Sequence, residues 1–132
     1  MVFALMVGML FPHRSLLAST FLFSAAKHVD SSFWGPFCAS AGVFCMGEVF
    51  GDDLTVASQY QGPGTLDSIL NYPVYDALVE AFQIPGNANT SGLALVHDAM
   101  KSQLRDVTVL GNFLENQDVP RWLNFSVDPQ SL

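Results

Sequence analysis

Two apolar runs, each closing on acidic residues, dominate the pattern of this chain. Val43-Phe44-Cys45-Met46 leads into Gly47-Glu48-Val49, and Val107-Thr108-Val109-Leu110-Gly111-Asn112-Phe113-Leu114 leads into Glu115-Asn116-Gln117-Asp118. Short unbroken apolar runs read as strands buried on both faces. They predict strands over 43–50 and 107–114, with another over 66–72 between them. Helical spacing appears elsewhere. Val29, Phe33, Trp34 and Phe37 mark an amphipathic helix over 27–40, which Gly35-Pro36 should bend or end. Val74, Ala77, Leu78, Ala81 and Phe82 mark a second, started by Pro73 and stopped by Pro85-Gly86-Asn87. Leu93, Leu95, Val96, Ala99 and Met100 mark a third, capped by Thr90 or Ser91. Residues 51–64, polar and rich in Gly and Pro, should be a long surface loop. Strands alternating with helices imply a parallel sheet with crossover helices.

Composition sharpens this picture. The 132 residues carry 50% hydrophobic and 13% charged positions, which suits one domain with a real core and excludes disorder. The net charge is −7 and the five basic residues are scattered, so no nucleic-acid footprint exists. All acids follow from Asp30 onward, and the stretch before it is apolar. We therefore set a boundary near 25, with 1–25 an apolar leader and 26–132 the folded unit. The leader has signal-peptide length but no basic n-region, and a segment foreign to the fold is the other reading. Pro12-His13-Arg14 interrupts its apolar run, so a membrane span is not expected.

Cys38 and Cys45 are the two cysteines. Cys45 falls inside a predicted strand, where an inert free thiol is the commoner state and a bridge to Cys38 the alternative. Two cysteines alone do not make a structural zinc site. Asn89-Thr90-Ser91 and Asn124-Phe125-Ser126 are glycosylation sequons, weak evidence for secretion.

Acids at the C-terminal ends of buried parallel strands are where a (β/α)₈ barrel enzyme places its catalytic groups. Four elements, in order, carry a more specific signal: Lys27-His28-Val29, Gly47-Glu48-Val49, Leu70-Asn71-Tyr72-Pro73, and Phe113-Leu114-Glu115-Asn116-Gln117-Asp118-Val119-Pro120-Arg121. With their spacing they resemble the α-amylase family of glycoside hydrolases, in its fungal secreted form. The resemblance implies an α/β fold, a partial TIM barrel of roughly strands five to seven with intervening helices. A whole barrel needs at least about 200 residues, so an incomplete one is expected.

The resemblance further implies a retaining endohydrolase of α-1,4-glucan, such as starch or maltooligosaccharide, secreted and calcium-dependent. Glu48 would be the general acid/base and Asp118 the transition-state stabiliser. Lys27, His28 and Gln117 would line the substrate cleft, and the His28 carbonyl would be a calcium ligand. Asp52, after Glu48, is a candidate contact for outer sugars. Departures from the family pattern matter as much. The family's nucleophilic aspartate falls on Ser24 and its arginine on Leu22; its histidine before Asp118 is Gln117. Its disulfide positions hold Ser58 and Leu104. A retaining glycosidase needs two carboxyl groups about 5–5.5 Å apart, and a lone serine is a weak nucleophile. No hydrolysis is therefore expected from this chain alone. The alternative is a non-catalytic remnant that binds glucan or a partner, or self-associates through open sheet edges.

Blander readings stand beside these. Strand-terminal acids are often only solvated, and Asp118 before Val119-Pro120 suits a helix N-cap. Trp34 should be core, His97 an ordinary helix-face residue, and Tyr60 and Tyr72 either pack or stack on sugars.

Overall fold

The computed structural model describes residues 4–8, 19–51, 53–83 and 90–125. Their centre is a four-stranded sheet in the order β1 (Ala4–Gly8), β2 (Ser19–Phe23), β3 (Phe44–Gly47), β4 (Ser68–Ile69). β1 runs antiparallel to β2, while β2, β3 and β4 are mutually parallel. Strand β2 lies within the stretch assigned to the leader and pairs directly with β3, Phe23 opposite Gly47.

β3 is shorter than the predicted 43–50, but the ladder runs past its end. The Glu48 N–H donates to the Phe23 carbonyl at 2.8 Å and the Ala26 N–H donates to the Glu48 carbonyl at 2.8 Å. Cys45, Met46 and Gly47 are all buried, as a parallel strand covered on both faces requires. A Cβ on Gly47 would run into Leu66 Cδ1, so any larger residue there would have to displace the buried Leu66 side chain.

α1 (Ser31–Ala41) starts where the Asp30 side chain accepts the Ser32 N–H at 2.9 Å. It ends at Gly42, whose φ of 65° sets the left-handed cap. The predicted start at 27 is too early, because 26–28 form a separate 3-10 turn. Pro36 does not end the helix. It lies inside α1, its missing donor outweighed by burial of Trp34 and Cys38 on either side. Gly35 faces Gly64 so closely that a Cβ would overlap its backbone.

The expected free thiol at Cys45 is corrected by the structure. Cys38 and Cys45 form a disulfide with Cα atoms 6.1 Å apart. The tight turn at Gly42 folds α1 back onto β3, which brings the last turn of the helix against the first strand residues.

The predicted loop over 51–64 instead holds α2 (Leu54–Ala57) and a 3-10 turn at Ser58–Tyr60. Asp53 starts it by accepting the Thr55 N–H at 2.8 Å. The strand predicted over 66–72 shrinks to β4 with bridges at Leu66 and Leu70. α3 (Tyr72–Phe82) begins with Asn71 capping the Val74 N–H, and α4 (Ser91–Gln103) follows as predicted, though Thr90 makes no side-chain cap.

The strand predicted over 107–114 does not form. Asp106 accepts from both the N–H and the hydroxyl of Thr108, at 2.9 and 2.6 Å, and winds Val107–Val109 into a 3-10 turn. Only Gly111 keeps the register, exchanging bonds with Ile69 and Asn71 at the edge beyond β4. The core joins Phe23, Trp34, Cys45, Leu66, Ile69, Met100 and Leu110 across sheet and helices. Among the described residues no helix is long and apolar enough to cross a membrane.

Candidate functional site

Three strand ends converge beside Glu48. β2 delivers Ser24 and Ala25, β3 delivers Glu48 itself, and the segment after β4 delivers Tyr72. Glu48 is buried, at 5% exposure, and both carboxylate oxygens are engaged. The Ala25 N–H donates to Oε2 at 3.1 Å and the Tyr72 hydroxyl donates to Oε1 at 2.7 Å. Ala25 reaches this position with φ 57° and ψ 37°, the one non-glycine residue of positive φ among those described. That conformation costs about 1–2 kcal/mol for an L-residue. It turns an amide toward the carboxylate.

The Tyr72 hydroxyl also accepts from Asn116 Nδ2 at 2.9 Å. Burial raises the Tyr72 phenol above its ordinary range, with the Glu48 bond as the next cause, so the group stays protonated and able to donate. Phe50 and Phe113 flank its ring at 4.8 and 4.9 Å between centroids.

Asn116 belongs to the turn that carries Gln117 and Asp118. Its Oδ1 accepts the Asp118 N–H at 2.9 Å, and Gln117 Nε2 donates to Asp118 Oδ2 at 3.1 Å. Both Gln117 and Asp118 are exposed. Asp118 caps no helix; it sits in the turn. Glu115 holds that turn shut, accepting from Trp122 N–H at 2.9 Å and pairing with Arg121 at 2.8 Å. The Trp122 bond, followed by Arg121, keeps its carboxyl below the usual range.

Lys27 and His28 lie in the 3-10 turn after Ala25. Lys27 Nζ donates to the Phe50 carbonyl at 2.7 Å and sits 5.4 Å from the Phe50 ring centroid. His28 is exposed. Tyr60, a candidate for stacking on sugars, is buried instead; its hydroxyl donates to the carbonyls of Lys27 and Val29, at 3.0 and 3.2 Å, on either side of His28. Asp52 lies outside the described residues.

The described residues do not fit a calcium site. Calcium wants six to eight oxygen ligands with carboxylates among them. Among the described residues no group of three or more His, Cys, Asp or Glu is placed to hold a metal.

Glu48 and the turn that carries Gln117 and Asp118 are thus linked through Tyr72 and Asn116, and Lys27 contacts Phe50, whose ring packs on Tyr72. Three contributors escaped sequence reasoning. Tyr72 and Asn116 stood within recognised elements, but helical periodicity has no signal for a phenol turned onto a strand-end acid. Ala25 had no signal at all. Chemically the arrangement offers one enclosed carboxyl that can give or take a proton, next to exposed amide and carboxylate groups suited to hydroxyls.

No family model matches the chain. It is 45% identical over 102 residues to alpha-amylase 1 of Lipomyces kononenkoae, covering 77% of this chain and 16% of that protein. It is 36% identical over 104 residues to alpha-amylase 2 of Schwanniomyces occidentalis, covering 79% of this chain and 20% of that one. Among solved structures, an alpha-amylase from Malbranchea cinnamomea superposes with a TM-score of 0.77 at 32% identity, over 85% of this chain and 23% of the other. The chain therefore spans about a fifth of the length of the relatives it matches.

Proposed function

We propose that this chain, a homologue of one segment of the fungal α-amylases, carries the acid/base part of a retaining α-1,4-glucan endohydrolase site. In this reading 26–132, joined by the parallel strand β2, is a partial (β/α)₈ barrel, Glu48 is the proton donor and acceptor, and Asp118 steadies the transition state by binding sugar hydroxyls. Lys27, His28 and Gln117 line the cleft, and Asp52 is kept as an outer contact. The observation that carries it is the convergence of Glu48 and the Asp118 turn on the Tyr72 hydroxyl, at the C-terminal ends of parallel strands. Secretion is part of the proposal, supported by the Cys38–Cys45 disulfide, since such bonds persist in oxidising compartments.

Ser24 limits the chemistry. It follows β2 directly, one residue before the amide that binds Glu48, at the place of the family's nucleophile. A hydroxyl without an adjacent base cannot form the glycosyl-enzyme intermediate, so the chain by itself binds glucan without cleaving it. The test is a maltoheptaose titration followed by amide NMR, run beside a reducing-sugar assay on starch. We expect shifts at Glu48, Gln117 and Asp118 and no new reducing ends. Shifts confined to other surfaces would sink the site assignment. Hydrolysis that disappears in Glu48→Gln would overturn the inactivity while keeping Glu48.

A second reading, a binding remnant, draws on Phe33 and Phe37. They are 49% and 39% exposed on α1, with rings stacked 5.5 Å apart. Exposed apolar surface of this kind suits a glucan, a partner or a second copy. Starch retention unaffected by Glu48→Gln but lost in Phe33→Ser would favour it, and sedimentation at rising concentration separates self-association from glucan binding.

A further inference from the structure

Two carboxylates cannot bond each other, and the phenol of Tyr72 is what joins the Glu48 and Asp118 segments. We propose that Tyr72 is a positioning residue whose hydroxyl, rather than its ring, holds Glu48 and the Asp118 turn in one mutual geometry. The proposal rests on reading Glu48 as the acid/base.

The link is a single file of four hydrogen bonds. Ala25 N–H donates to Glu48 Oε2, and Tyr72 OH donates to Oε1. Asn116 Nδ2 then donates to the Tyr72 oxygen, and Asn116 Oδ1 accepts the Asp118 N–H. The file spans the end of β2, the end of β3, the start of α3 and the turn after Gly111, four segments with no local reason to keep step. Tyr72 is the fixed point. It is 1% exposed, gripped by Phe50 and Phe113, and rooted in the first turn of α3 by the Asn71 cap and the Pro73 ring.

A phenylalanine would fill the same space. A buried hydroxyl is costly unless bonded, and here it is bonded on both sides. The hydroxyl also suits a partner that must change protonation state. Its O–H can donate to Oε1 both when Glu48 is a carboxylate and when the proton sits on the other oxygen, whereas the Asn116 amide nitrogen keeps donating to the phenol oxygen throughout. The Tyr72 link can therefore persist through a proton transfer at Glu48, and the Asp118 turn need not move.

The experiment is amide hydrogen exchange by NMR on the full chain and on Tyr72→Phe and Asn116→Ala. The reporters are the Ala25 and Asp118 amides; the Leu70 and Gly111 amides, bonded to Gly47 and Ile69 carbonyls, are references. In Tyr72→Phe both reporters should exchange roughly fivefold faster, the worth of one hydrogen bond, with the references unchanged. In Asn116→Ala the Ala25 amide, on the far side of Glu48, should quicken as well. Ala25 exchange that stays at its original rate in both variants overturns the proposal and leaves Tyr72 a packing residue. Should Tyr72→Phe lose protection at the references, the Ala25 result in Asn116→Ala decides alone. No glucan is involved, so this outcome is independent of whether Glu48 serves glucan chemistry.

Discussion

Replacing a helical glycine with alanine ordinarily stabilises a protein, and Gly35→Ala should do the opposite. Alanine in a helix interior is favoured over glycine by about 1 kcal/mol. At Gly35, however, a Cβ would overlap the Cα, C and O atoms of Gly64. Those are backbone atoms, and Gly64 holds φ 82°, so neither partner can turn aside as a flexible side chain would. The helix must move off the 62–64 turn instead, pulling Trp34, 1% exposed, and the cross-linked Cys38 with it. Overpacking of this kind costs up to about 3 kcal/mol, which leaves a net loss of about 2 kcal/mol after the propensity gain. With about 2.1 cal/mol/K of unfolding entropy per residue over 132 residues, the midpoint should fall by about 7 °C. The control is Gly92→Ala in α4, where nothing lies within 4 Å of the new Cβ. It should raise stability by several tenths to about 1 kcal/mol. Thermal and urea unfolding with the disulfide intact measure both variants, the urea midpoint reporting stability when the slope is unchanged. If Gly35→Ala proved neutral or stabilising like Gly92→Ala, the close packing of α1 on Gly64 would be wrong.

Reducing the Cys38–Cys45 bridge should lower the urea midpoint. The bridge closes a loop of sequence separation 7, for which chain entropy predicts about 2.4 kcal/mol; an unchanged midpoint with dithiothreitol would refute the tether between α1 and β3. The acid limb of the stability curve should depend on Glu115. Its folded pKa lies below the ordinary range of a glutamate, so its contribution is complete above that range and drains away as pH falls through the folded pKa. Glu115→Gln should therefore lower the urea midpoint at neutral pH, where the contribution is complete, and flatten its fall with pH in the acid range. A limb as steep as the original would show that the turn around Asp118 is held some other way.

Much of this architecture was legible along the chain because it depends on neighbours in sequence. Pro73 marks the start of α3, whereas the equally local Asp30 cap that starts α1 was passed over for a start at 27. The run ending at Gly47-Glu48 announced a buried strand with an acid at its end, and β3 is that strand. The misreadings have local causes too, competing ones. Asp106 recruits Thr108 and turns a β-branched stretch away from the sheet. Asp53 nucleates a short helix in what composition presents as loop. Pro36 is tolerated because burial outweighs one missing donor.

By itself, then, the sequence determined much of where the chain stiffens and turns, that Glu48 stands at a strand end, and the resemblance to a glucan-cleaving family. Only the tertiary structure decided what those acids touch. That Glu48 binds an alanine amide and a tyrosine hydroxyl, that Cys45 meets Cys38, and that Gly35 lies on Gly64 are facts of contact between distant segments. Periodicity and capping act within a turn or two of chain. The direction in which a buried side chain points is settled by which other element arrives against it.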